Sequence, residues 1–182
     1  MQWTIPGTVL TVPRGETGQI PQQFAAMFLG GGVVLSQITA ITGLEPYTVQ
    51  NWVKRGFLPP PAHKRYQMNQ LCRIIFISML KRILPMEQIC GLLSYINGNL
   101  DNTADDLIDD AKLYFMFVEL AAGLPELPDE ISRRNAIHRV LSTYSEPVPG
   151  ARERVRKVLS VMLTAWAAAR LHEEALKMVQ QL

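Results

Sequence analysis

Cysteine, histidine and aromatic residues are scarce in this sequence, and long apolar runs are missing. Two cysteines in 182 residues, Cys72 and Cys90, exclude a disulfide framework and a four-thiolate zinc site. Buried, inert thiols in a reducing compartment are expected instead. The three histidines, His63, His138 and His172, do not pair with one another or with a cysteine at metal-ligand spacing. No serine-hydrolase elbow, dinucleotide fingerprint or P-loop is present. No enzyme, cofactor or metal is therefore expected. The longest unbroken apolar runs, Leu113–Val118 and the equally long Phe24–Leu29, fall far short of the ~20 residues that cross a bilayer. The first 20 residues carry glycine and proline but no charged leader region. A soluble, cytoplasmic protein with no membrane partner is the expectation.

What is present is apolar residue in quantity and a sorted charge. At 48% hydrophobic the chain can build a core, which excludes global disorder. The net charge of +2 is a sum over two unlike parts. Between Pro46 and Met86 stand Lys54, Arg55, Lys64, Arg65, Arg73, Lys81 and Arg82 and no acid, giving +7. Between Asp101 and Asp110 stand five aspartates and no base, giving −5. The asymmetry suggests a basic working face and an acidic segment elsewhere.

Glycine and proline punctuate a helical pattern. Residues 1–20 read as an irregular arm and Gln22–Leu29 as a short helix. Leu35–Thr42 places Leu35 and Ile38 on one face, and Gly43 supplies a turn. A second helix opens with Glu45 at its cap and Pro46 at its first position, and runs to Arg55 before Gly56. A short helix, a glycine turn and a second helix form a helix-turn-helix signature. On the second helix Val49, Trp52 and Val53 share one face; Tyr47, Gln50, Asn51 and Lys54 share the other. Glutamine and asparagine can pair with adenine edges in a major groove, and Lys54 and Arg55 can reach phosphates. The three prolines 59–61 then force an extended excursion whose tip carries Lys64, Arg65 and Tyr66.

Further helices are expected from Met68 or Asn69 and from Pro85 or Met86, with a turn at Asn97–Asn99. Thr103–Ala122, Asp129–Tyr144 and Ala151–Gln181 follow. Thr103 and Asp106 resemble a capping box, which gives the aspartates a structural role; an EF-hand fails because its sixth position is Asp106 and its twelfth Lys112. Leu113–Val118 is apolar all round, as at the centre of a bundle. An alternative use of its rings is a small-molecule pocket of Tyr114, Phe115, Phe117 and Trp166. In the last helix Val155, Met162, Ala169 and Leu176 recur every seven residues beside Val158, Ala165, His172 and Val179. This seam suits either the protein's own body or a second subunit.

The run from Thr42 to Leu93 resembles the MerR-type winged-helix DNA-binding domain. Gly43, Thr48, Val49, Trp52, Lys54, Gly56, Phe57, Leu58, Arg65, Tyr66, Ile89 and Leu93 carry the likeness. More narrowly it is similar to the bacterial domain of unknown function 1836. Two positions depart from the pattern: Glu45 replaces a small cap residue, and Gln50 stands where arginine is usual. The resemblance implies an all-α fold, a winged helix-turn-helix followed by a C-terminal helical bundle. It implies segments 1–32 (arm and short helix), 33–98 (winged helix-turn-helix) and 99–182 (C-terminal helices). It implies a transcriptional regulator that reads double-stranded DNA through Ser36, Tyr47, Thr48, Gln50, Asn51, Lys54 and Arg55, with Lys64, Arg65 and Tyr66 as a wing. A homodimer and a small-molecule effector are the further partners it suggests. A non-catalytic protein-interaction module that keeps the helix-turn-helix without DNA is the alternative.

Overall fold

A computed structural model describes residues 2–98, 100, 102–126 and 129–182. The described residues form a mostly helical chain with one two-stranded antiparallel sheet, β1 (Gln2–Thr4) and β2 (Thr11–Pro13). Eight α-helices follow among the described residues: α1 (Ile20–Met27), α2 (Leu35–Thr42), α3 (Pro46–Lys54), α4 (Met68–Leu80), α5 (Met86–Asn97), α6 (Asp110–Ala122), α7 (Glu130–Val140) and α8 (Ala151–Val179).

The first expectation to fail is the irregular arm. Residues 2–13 form a hairpin with Trp3 opposite Val12, and Trp3, Ile5 and Val12 are buried in the common core. Two contacts hold it. The Tyr114 hydroxyl donates to the Pro6 carbonyl at 2.9 Å, and the Val9 N–H donates to the Ile41 carbonyl at 2.9 Å. Gly7, at φ +71°, leaves no room for a side chain: a Cβ there would lie 2.6 Å from Ile75 Cγ2. Strands of three residues have too little alternation to be seen as a pattern.

Glutamine sets the starts of α2 and α4. Gln37 Oε1 accepts from the Val34 N–H at 2.9 Å, and Gln70 Oε1 accepts from the Gln67 N–H at 2.7 Å. Each is half of a capping box. α4 is enclosed by protein: only its first three residues and Ser78 escape full burial. It packs on α5, α6 and α8. A chain of rings crosses this core from α1 to α8, with centroid spacings of 5.8 Å for Phe24–Tyr114, 5.6 Å for Tyr114–Phe76, 6.5 Å for Phe76–Phe117 and 6.3 Å for Phe117–Trp166. One buried apolar cluster runs from Trp3 to Ala165, so the arm, the middle segment and the C-terminal helices share a core. Cys72 lies in it, where burial first and the Asp110 charge second push its thiol well up, while Cys90 is half-buried.

The aspartate-rich segment also departs from expectation. Residues 103–105 form a single 3-10 turn, and α6 begins only at Asp110, with Asp109 at its cap. Asp101, Asn99 and the side chain of Thr103, and with them the expected cap, lie outside the described residues. The helix starts late because Leu107 and Ile108 are pulled into the core. The Leu107 N–H donates to the Ile96 carbonyl at 2.9 Å, and the Leu107 carbonyl accepts from the Tyr144 hydroxyl at 2.5 Å. The seventh helix is shorter than expected, ending at Val140 in a 3-10 turn over Leu141–Thr143.

The +7 count contains one cation that is not on the surface. Arg73, only 5% exposed, sits inside α4. Its Nη1 meets Asp110 Oδ2 at 3.2 Å and its Nε donates to the Phe57 carbonyl at 3.2 Å. Asn97 Nδ2 donates to Asp110 Oδ1 at 3.1 Å. Burial pushes the Asp110 carboxyl up, while Arg73 and Asn97 pull it down. One guanidinium thus joins the end of α3, the centre of α4 and the start of α6. Removing one partner of such a pair leaves a buried charge uncompensated. Asp110→Ala is therefore expected to cost roughly 3–5 kcal/mol of unfolding free energy, measured by urea denaturation. A loss within ~0.5 kcal/mol, typical of a surface change, would remove the pair from its structural role.

Candidate nucleic-acid interface

α3 forms because Pro46 occupies its first position with no N–H to lose, and it ends where Gly56 turns the chain at φ +73°. Val49 and Trp52 are buried in the core that also holds Ile38 and Ile41, α3 packs on α2, and Val53 is partly buried. Tyr47, Gln50, Asn51, Lys54 and Arg55 are exposed, and Thr48 is half-buried. Tyr47 is exposed to 71%, unusual for a large ring. Cations close the helix on its apolar side: Lys81 Nζ lies 5.4 Å from the Trp52 ring centre and the Arg55 guanidinium 4.7 Å from that of Phe57. Glu45 caps α3 without a side-chain hydrogen bond.

The α2–α3 turn is tight. Gly43 has φ +69°, and a Cβ there would meet Val9 Cγ1 at 2.9 Å. Thr42 Oγ1 donates to the Ile38 carbonyl and accepts from the Leu44 N–H.

The proline excursion ends in a built turn. Gln70 Nε2 donates to both the Pro59 and Pro60 carbonyls, each at 3.0 Å. Ala62 and Arg65 then pair across His63 and Lys64, whose φ values are +49° and +62°. Two successive left-handed residues are the pattern of a type I′ hairpin turn, which favours asparagine and glycine. A residue with a Cβ in that region costs ~1–2 kcal/mol. The base of the turn is pinned to the entry of α2. Val33 and Tyr66 exchange backbone hydrogen bonds of 3.0 and 2.8 Å, and Arg65 Nη1 donates to the Gly32 carbonyl at 2.9 Å. Gly32 is needed for this approach, since a Cβ would fall 2.9 Å from the Tyr66 carbonyl oxygen.

These contacts sort the expected residues. Ser36 is exposed in the first turn of α2, next to the pinned base that carries Arg65. Lys64 is exposed at the tip. Tyr66 requires correction: it is 3% exposed, so its ring anchors the turn from inside and offers no surface contact. The basic inventory shrinks as well. Arg73 is consumed inside α4 and Arg82 pairs with Glu173, while Lys81, over the Trp52 ring, stays exposed. Lys54, Arg55, Lys64 and Arg65 are the exposed cations on α3, at its end and on the turn. His63, which carries no metal-ligand spacing in the sequence, is the other half of the left-handed tip.

Leu113–Val118 lies in the packed core, as at the centre of a bundle, and the alternative of an aromatic pocket fails. Tyr114 and Phe117 are fully buried in the core, and Trp166 packs edge-on against Phe117. Phe115 alone of the four lines an open groove of about 880 Å³ along α6, with Pro21, Met116, Val118 and Val140 as its apolar floor and Lys112 and Glu119 beside them.

Comparison with known proteins matches the middle of the chain. The family described as "Domain of unknown function (DUF1836)" matches residues 33–117, from the pinned base of the turn into α6, with both partners of the Arg73–Asp110 pair. The "Uncharacterized protein YkrK" of Bacillus subtilis (strain 168) is 28% identical over 86 residues, which cover 45% of this chain and 37% of that protein. The chain thus spans little more than a third of that relative's length. No solved structure matches the chain.

The strained tip yields a test. Replacing His63 by Asn and Lys64 by Gly gives the turn the residues it favours and is expected to raise stability by ~1 kcal/mol in urea denaturation. No gain would show that the tip is relaxed as it stands.

Proposed function

We propose that residues 33–98 act as a MerR-like winged helix-turn-helix that binds double-stranded DNA in a sequence-specific way, and that the protein is a transcriptional regulator. The observation that carries this reading is the division of α3. Its apolar side is buried, while Tyr47, Gln50, Asn51 and Lys54 stand outward together, with hydrogen-bonding groups and a cation but no carboxylate. In this reading α3 enters the major groove, Gln50 and Asn51 meet base edges, and Lys54 and Arg55 meet phosphates. The turn at His63–Lys64 is the wing, and its Lys64 and Arg65 reach the backbone. Glu45 opposes binding, since it brings a like charge to phosphate. A cytoplasmic location belongs with this reading. An effector molecule would have the groove along α6 open to it, not the aromatic core.

Salt dependence is the decisive measurement. Four phosphate contacts per protomer predict log K falling with log[salt] at a slope of about −3 to −4. Lys64→Ala should weaken binding to every sequence and flatten that slope by about 1, while Asn51→Ala should cost ~1–3 kcal/mol mainly at one base position. Absence of binding to genomic fragments at low salt would overturn the reading and favour the protein-interaction module.

A homodimer is the second part of the proposal, through a different face of α8 from the one its periodicity first suggests. Val155, Val158, Met162, Ala165 and Ala169 pack into the protein's own core. Val161, Thr164, Ala168, Leu171, Ala175 and Met178 recur at alternate spacings of three and four and are all exposed. That is the a/d spacing of a coiled-coil seam. No described residue of α8 beyond Ala169 is buried. Leu171 and Met178 are 67% and 63% exposed on this free end. Leu171→Glu is expected to convert a dimer to a monomer in light scattering while leaving the helical circular-dichroism signal unchanged. A wild-type monomer at working concentration would remove this part of the proposal.

A further inference from the structure

A small polar cavity of about 70 Å³ lies where the proline excursion, α4, α5 and the aspartate segment meet, and Pro59, Gln70, Arg73, Asn97, Asp106 and Asp110 are among the residues that line it. Three observations make it more than a packing gap. First, it contains the Arg73–Asp110 pair, whose guanidinium also holds the Phe57 carbonyl just beyond α3. Second, the Asn97 Oδ1 atom is buried and has no hydrogen-bond partner, so the cavity is short of a proton donor. Third, the formal charges of its described lining residues do not cancel: Asp106 and Asp110 border it with one cation, Arg73.

We propose that Asp106 is a proton-operated control on the module that carries α3. When ionised it competes with Asp110 for Arg73 and weakens the hold on the Phe57 carbonyl; when protonated it leaves Arg73 to Asp110 and Phe57. The charged groups that act on Asp106 are Asp105, Asp109 and Asp110 of its own segment and Arg73 from α4. α5 brings Asn97 and the negative end of its helix dipole, and the excursion brings only Pro59. Burial first, then the charges of Asp110, Asp105 and Asp109, push the Asp106 carboxyl from 3.8 to about 6, with Arg73 pulling the other way. The sign follows from linkage. A carboxyl raised in the folded state favours folding below its unfolded value near 3.8, and this contribution is lost as pH rises through about 6. Ionised Asp106 is thus a strain that the neutral protein carries.

This control rests on the DNA reading for its use, but not for its existence, and the test keeps the two apart. The full chain, labelled with nitrogen-15, is titrated by NMR from pH 8 to pH 5, following the Arg73 Nε–H and the backbone amides of residues 55–58. A common transition near pH 6, lost in Asp106→Asn, is expected. Asp106→Asn is also expected to raise the melting temperature at pH 7.5, with a gain that shrinks as pH falls from about 6 towards 3.8. A titration of Asp106 that leaves these signals still, or no transition between pH 5 and 7, would overturn the proposal. DNA affinity is measured separately on wild type and Asp106→Asn at both pH values. Acid-tightened binding confined to the wild type extends the control to DNA. No DNA binding at either pH defeats the DNA reading alone, and binding that responds equally to pH in both proteins limits the control to the fold.

Discussion

A charge inside an apolar helix has to be neutralised where it stands, and Arg73 is that charge. α4 is surrounded by α5, α6 and α8, so water cannot reach its middle. An isolated ion there is untenable, and the pairing with Asp110 is the condition under which α4 can occupy the centre at all. The pairing dictates other placements. α6 must begin at Asp110, because that carboxylate has to arrive at the guanidinium. The chain after α3 must pass with its Phe57 carbonyl towards Nε, and Asn97 must end α5 within reach of the second carboxylate oxygen. Four elements are therefore registered by one ion pair. A well-packed apolar substitute could match its stability but would not specify that register.

The exposed parts are held from beneath by comparable devices. The turn at His63–Lys64 has little contact of its own, yet its base is locked to the entry of α2 by Gly32, Val33 and the buried Tyr66. The preceding prolines are fixed through the two carbonyl bonds from Gln70. α3 is held by Trp52, which carries Lys81 on its face. Surface groups that must present a fixed geometry are thus carried on short segments whose backbone groups are already satisfied.

Much of this was legible because glycine and proline mark element ends with unambiguous chemistry. Leu35–Thr42, Gly43 and Pro46 are where the residues say they should be, and so are Gly56 and Gly150. The failures have separate physical causes. The hairpin around Ile5 depends on burial against α4 and α6, which no local pattern carries. The aspartates looked like a helix start because acids favour that position, but Leu107 and Ile108 had a stronger claim on the core. Arg73 and Tyr66 were placed on the surface because charge and ring type were counted without burial. On α8 the seven-residue repeat through Val155 and Met162 is real, but periodicity does not say whose surface it meets. The exposed stripe through Leu171 gives no clear sequence signal, because Thr164, Ala168 and Ala175 are small and weakly apolar.

The hairpin at the start of the chain bears on how the protein is made. Pro6 finds its hydrogen-bond partner at Tyr114, 108 residues later, and Gly7 closes on Ile75 of α4. The hairpin that carries Trp3, Ile5 and Val12 awaits partners synthesised after it, at Ile41, Ile75 and Tyr114. The segment between them can assemble helices from local contacts, while the hairpin waits on a long loop closure. The strands at the edge of a helical body thus dock in full only once α6 is in place, since Tyr114 holds the Pro6 carbonyl.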